Sequence, residues 1–177
     1  MNFEALQKNL IDFIKESQIK LGYDGQPIGL YYPLESLNAL LGADLDAAGM
    51  QRALEGFGAF TRDTLGAVAV SRDGDRFCLR IPAEGVAYVH DNVPDAGFLP
   101  AFLAVIGRHG IGIIDILEVF HKYSDRVKCA RMNNDEFDYL IYFEDGVPDD
   151  YRYCIKLHGD HASYHRFTPH DYESFGF

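Results

Sequence analysis

Between Arg126 and Thr168 the chain alternates apolar and polar residues in four short runs, a period that fits strands and not helices. The runs 127–132, 137–143, 151–157 and 161–167 are separated by turn-rich pieces at 133–136, 144–150 and 158–160. Phe137, Tyr139, Ile141 and Phe143 fall on one face of their strand, and Tyr151, Tyr153, Ile155 and Leu157 on one face of the next. Asp138, Arg152 and Lys156 fall on the other. This pattern predicts an antiparallel meander with one buried face. Four strands are stable only when that face is covered, so helices upstream must cover it.

Two helices stand in position to do so. Phe98, Leu99, Phe102, Leu103 and Ile106 have helical spacing with Pro100 in the first turn, and Ile113, Ile116, Leu117, Phe120 and Tyr123 repeat it after a glycine-rich link. Together they predict a helical hairpin against the meander. Further upstream, Phe3, Leu6, Leu10, Phe13, Ile14 and Leu21 mark an amphipathic helix that stops at Gly22. An extended piece over 28–32 leads through Pro33 into a short helix with Leu34, Leu37, Leu40 and Leu41, ended by Gly42. Asp46 is placed as the N-cap of a third helix, with Leu45 and Met50 as a hydrophobic staple. Segments 67–71 and 76–81 form a hairpin about Asp73-Gly74.

Residues 83–97, rich in Gly, Pro and Asp, read as the connection between halves. The expected architecture is α+β: an N-terminal helical, winged-helix-like part with a β-hairpin over 1–90, then two helices packed on a four-stranded antiparallel meander over 91–177, the two parts separate or merged in one compact domain. A chain of 177 residues buries roughly 70% of its extended surface, so no disulfide or metal is needed to hold a core together.

Charge narrows the function classes. The net charge is −11, with −4 in residues 1–90 and −7 in 91–177. Nucleic acids and anionic membranes are bound through compensating positive charge, and both are disfavoured here. Helix, short helix, capped helix and hairpin is the element order of a winged helix. Yet the third helix, which would read the groove, carries Asp46 and Glu55 against Arg52, and only Arg72, Arg76 and Arg80 on the hairpin could follow a phosphate backbone. Cys78, Cys129 and Cys154 are odd in number and far apart, the pattern of reduced cysteines. The N-terminus lacks a basic leader before an apolar run, and no apolar stretch approaches the length of a membrane span. A cytoplasmic location is expected.

The most site-like feature is the concentration of His158, His161, His165 and His170, with Asp160 and Asp171 beside them. Alternation points His161, Ser163 and His165 the same way. Imidazole with carboxylate suits zinc or a similar divalent ion, so His158, Asp160, His161 and His165 are the candidate metal set. The competing reading is histidines that hydrogen-bond in a turn and on an edge strand, since no HExxH or CxxC motif is present. Cys154 and His165, on neighbouring strands, have the residue types of a nucleophile and its base. A mid-strand cysteine near acidic turns lacks the electropositive setting of a reactive thiolate, and packing is its simpler role. The acids of 135–150 do not match a calcium loop, and the glycines at 107, 110 and 112 match no nucleotide fingerprint. No catalytic residue and no nucleotide cofactor is assigned. The aromatic tail over 164–177 either folds back on its own domain or serves as a docking segment.

At "FDYLIYFEDG", "DRFCLRIP" and the ending "YHRFTPHDYESFGF" the chain resembles a family of short acidic proteins of unknown function from gut-dwelling Firmicutes. The resemblance implies a cytoplasmic bacterial protein and supplies no activity. The expected function is a non-enzymatic binding or protein-interaction protein, working through its acidic face or aromatic tail with a protein partner or a second copy. The alternatives are a metal-dependent hydrolase using the histidine cluster and a winged-helix nucleic-acid-binding regulator.

Overall fold

A computed structural model describes residues 1–176, and they form an α+β protein of two compact units, Met1–Asp95 and Ala96–Phe177.

The first unit runs α1 (Phe3–Leu21), β1 (Ile28–Pro33), α2 (Leu34–Leu41), α3 (Ala47–Leu54), α4 (Phe57–Phe60), β2 (Ala69–Asp73), β3 (Arg76–Ile81) and α5 (Ala83–Asn92). Its three strands are antiparallel in the order β1-β3-β2. The central strand buries Phe77, Leu79 and Ile81 by strict alternation against Leu6, Leu10 and Ile14 of α1, Leu37 and Leu41 of α2, and Met50 and Leu54 of α3. The Asp46 carboxylate accepts the Gly49 N–H at 2.6 Å and starts α3. Asn38 clamps the α2–α3 link, donating to the Leu45 carbonyl and accepting its N–H. Inside the core the Tyr32 hydroxyl donates to Asn9 at 2.7 Å, so the polar end of a buried ring is satisfied.

The helix α5 corrects the reading of 83–97 as a connection. Pro82 precedes its first turn, where a missing N–H costs nothing, and Val86 and Val89 bury one stripe. Gly85, which counted as a breaker in sequence, lies buried where a side chain would strike the backbone of Leu65. Lys15 of α1 is buried, and its ammonium donates to the Val93 carbonyl and pairs with Asp95. That hydrogen bond and charge hold the Asp95 carboxyl below its ordinary pKa.

The second unit runs α6 (Phe98–Ile106), α7 (Ile113–His121), β4 (Val127–Arg131), β5 (Tyr139–Phe143), β6 (Arg152–Leu157), β7 (Ala162–Phe167) and α8 (Pro169–Phe175). The strands form the expected antiparallel meander, β4-β5-β6-β7. The two helices cover one face through an aromatic core in which Phe98, Phe102, Phe120, Phe143 and Tyr153 meet edge to face or tilted. The Tyr153 hydroxyl donates to Asp149 at 2.7 Å.

The expectation of one buried face is corrected, because a second cluster lies on the opposite side. Phe137, Cys154 and Phe167 are buried there, packed with Met132, Leu140 and Tyr172. Phe137 changes side because the strand begins only at Tyr139. The Asn134 side chain accepts the N–H groups of Glu136 and Phe137, and a bend at Asp138 breaks the alternation. The cover on this side is α8, formed by the tail. Thr168 caps it, accepting the Asp171 N–H and donating to the Asp171 carboxylate, with Pro169 following as N1.

Asp138 joins two strands of this unit: its carboxylate accepts the Leu157 N–H at 2.8 Å and pairs with Lys156. Those contacts, the backbone one first, lower its pKa. Asp138→Ala is expected to cost about 1 kcal/mol in urea unfolding at neutral pH, the worth of one such hydrogen bond. A carboxyl lowered on folding contributes its stability above the unfolded-state pKa and loses it as acid takes the pH down through the folded value. The gap between wild type and variant should therefore shrink below about pH 4. A gap of constant size across the acid range would refute this.

Candidate functional site

The β6–β7 turn brings together three of the four proposed metal ligands. The His158 N–H donates to the His161 carbonyl, which closes the turn and stacks the two imidazoles with ring centroids 4.7 Å apart. Asp160, between them in sequence, lies 2.8 Å from His161 Nδ1, and this hydrogen bond and charge lower the Asp160 pKa. His158 Nε2 meets Ser163 Oγ at 2.8 Å. His109 is an addition that sequence spacing gave no reason to include. It sits in the α6–α7 link, which docks on the turn through the Gly110 N–H and the Asp160 carbonyl, and its Nδ1 is 3.9 Å from the Asp160 carboxylate.

His165 takes a different place. It pairs across the ladder with Cys154, and its ring lies 4.1 Å from that of Phe167. Among the described residues no three His, Cys, Asp or Glu side chains are grouped so as to hold a metal ion. The turn is open to solvent, with Asp160 76% and His161 57% exposed, so its charges are screened by water.

Cys154 and His165 are neighbours, as imagined for a nucleophile and its base, but the thiol is fully buried in the cluster beneath α8. Burial pushes its pKa up to about 12, with Glu136 adding to the effect. A thiol so held is not a nucleophile at neutral pH. Cys129 on β4 is exposed and Cys78 half-buried. Titration of the native protein with a thiol reagent should therefore modify Cys129 first and Cys154 only on unfolding, and early labelling of Cys154 would contradict its burial.

In the first unit, α3 and the β2–β3 hairpin carry the charged residues weighed for nucleic-acid binding in the sequence. Asp44, Asp46, Arg52 and Glu55 are exposed along and beside α3. The hairpin tip places Asp73 and Asp75 between Arg72 and Arg76. Along the hairpin the acids are interleaved with the arginines.

These features define an α+β protein in which a helical unit with a three-stranded sheet is followed by a meander covered on both faces. No helix among the described residues is long and apolar enough to cross a membrane. The chain belongs to the family described as "Domain of unknown function, E. rectale Gene description (DUF3877)", whose model matches residues 3–176. It agrees with the resemblance drawn from the three sequence segments. No curated protein and no solved structure matches the chain.

Proposed function

We propose that this is a cytoplasmic, non-enzymatic protein-interaction protein whose first unit is a winged-helix-like scaffold turned to protein binding. The single observation that carries the reading is the set of exposed acids at the two ends of α3, Asp44 and Asp46 before it and Glu55 after it, which outnumber Arg52, the helix's one charged residue. Acids flanking a helix in this way repel phosphate and suit a basic polypeptide surface. The sheet order β1-β3-β2 with the short helices α2, α3 and α4 between β1 and the hairpin supports the scaffold part of the reading.

The test is capture of partners from the native host's lysate on the full chain and on a variant carrying Asp44→Lys and Glu55→Lys, beside a DNA-affinity column at low salt. The expected result is a stoichiometric protein partner lost with the variant and no retention on DNA. Retention on DNA that falls steeply with salt would instead favour a regulator, since such affinity is largely electrostatic.

A second reading, a metal-dependent hydrolase, rests on the meeting of His158, Asp160 and His161 in one turn. Elemental analysis of untagged protein decides it, with melts in the presence and absence of EDTA. The interaction reading expects no stoichiometric metal and an unchanged melt. Near-stoichiometric zinc whose removal lowers the Tm would favour the hydrolase, because a ligand of the native state stabilises it.

A further inference from the structure

The edge of the second sheet bears the chain's one six-residue window with three Lys or Arg and no acid, Arg126-Val127-Lys128-Cys129-Ala130-Arg131. In a protein of net charge −11 that is the local exception. The segment coincides with β4, which the sheet order leaves paired on one side only. Lys128 to Arg131 are all exposed, so neither face of the strand is covered along this stretch.

The ladder determines which backbone groups are available. Met132 donates its N–H to the Asp138 carbonyl and Glu144 donates to the Arg126 carbonyl, in a register that sets Cys129 opposite Ile141. Peptide groups of an antiparallel strand alternate in direction, so residues of even number from 126 to 132 address β5. Val127, Cys129 and Arg131 direct their N–H and C=O groups away from the sheet. They form a row of donors and acceptors at strand spacing, with no bulge and no proline to blunt it.

We infer that the open edge of β4 binds an extended acidic segment of a partner polypeptide by strand addition. Main-chain hydrogen bonds to Val127, Cys129 and Arg131 supply the pairing, and Lys128 and Arg131, on opposite faces of the strand, select carboxylates three positions apart, one on each face of the added strand. Lys128 is already 3.5 Å from Glu144, but this pair is solvent-exposed and weak enough for a partner's carboxylate to compete. Charge also decides against a second copy as the occupant, since edge-to-edge pairing would bring two such basic segments together. The inference rests on the interaction reading only in taking a polypeptide as ligand. It uses a surface in the other unit, so failure here leaves the α3 capture experiment untouched, and the reverse holds too.

The probe is a short synthetic peptide repeating Glu-Val-Val, which puts Glu on both faces of an extended strand, titrated into the full chain at low salt, with amide hydrogen exchange read at Val127, Cys129 and Arg131. Saturable binding with slowed exchange at these three amides is expected. Replacing Glu by Gln in the peptide should weaken binding about tenfold or more, as should Arg131→Glu. Cys129→Pro removes one outward N–H and leaves the β4–β5 ladder intact, and a loss of about tenfold is expected for it too. Three results would overturn the inference: no saturable binding, binding that survives Cys129→Pro without amide protection (adsorption by charge alone), or a free protein already dimeric with these amides protected. Arg131→Glu keeps the test decisive should the proline variant fail to fold.

Discussion

Gly85→Ala is expected to unfold the first unit at ambient temperature. In an exposed helix the same change stabilises by about 1 kcal/mol, because alanine loses less backbone entropy. At Gly85 the added Cβ would lie 2.1 Å from the Leu65 carbonyl oxygen, 2.6 Å from its carbon and 2.7 Å from the Ile81 side chain. Two of those atoms are backbone and the third belongs to the core, so none can swing aside. The helix α5 would have to leave the sheet, exposing Val86 and Val89. Overpacking a core costs about 1–3 kcal/mol when side chains can adjust, and more than about 3 kcal/mol is expected here. Gly56→Ala is the control, since its Cβ would meet only Phe3 at 3.8 Å. Amide exchange should show protection lost over residues 1–95 for Gly85→Ala and kept for Gly56→Ala. A Gly85→Ala protein as stable as wild type would show that the approach of α5 to Leu65 is wrong.

The corresponding test of the second unit is Phe120→Ala. Phe120 is fully buried, and its ring lies within 5.9 Å of those of Phe98, Phe102, Phe143 and Tyr153. Truncation removes the ring that joins α6 and α7 to the sheet and leaves a cavity whose rigid aromatic walls collapse poorly. The expected cost is about 3–5 kcal/mol. A unit of about 80 residues has only about 4–12 kcal/mol of stability in total, so the loss is at least about a quarter of it and can be all of it. Phe120→Leu, which keeps much of the volume, should cost roughly half as much. Urea unfolding followed by near-UV circular dichroism of the tyrosines reads both variants. A cost below about 1 kcal/mol for Phe120→Ala would mean that the aromatic cluster is not the core.

Residues whose partners are near in sequence are legible from the sequence. Asp46 accepts an N–H three residues on, Gly74 turns a hairpin between strands it adjoins, and the alternation of 139–143 and 152–157 shows the faces of β5 and β6. The two missed helices had local signals that were outweighed. Pro82 with Val86 and Val89 is a helix start set among Gly, Pro and Asp, and Thr168-Pro169-His170-Asp171 is a cap at the head of an aromatic tail. The candidate site divides the same way. His158, Asp160 and His161 met because three residues of one turn cannot avoid each other, whereas His109 arrived from a separate link and His165 went to Cys154 and Phe167.

By itself the sequence determined the α+β class, the meander, the helical hairpin above it and the acids that flank α3, because period, caps and charge are properties of neighbouring residues. Only the tertiary structure decided that Gly85 is a packing residue, that Phe137 and Cys154 belong to a second core under α8, and that Arg126 to Arg131 lie along an open edge. Each of these depends on which distant segment comes to lie alongside, and that is settled by summed burial over the whole chain, not by any local pattern.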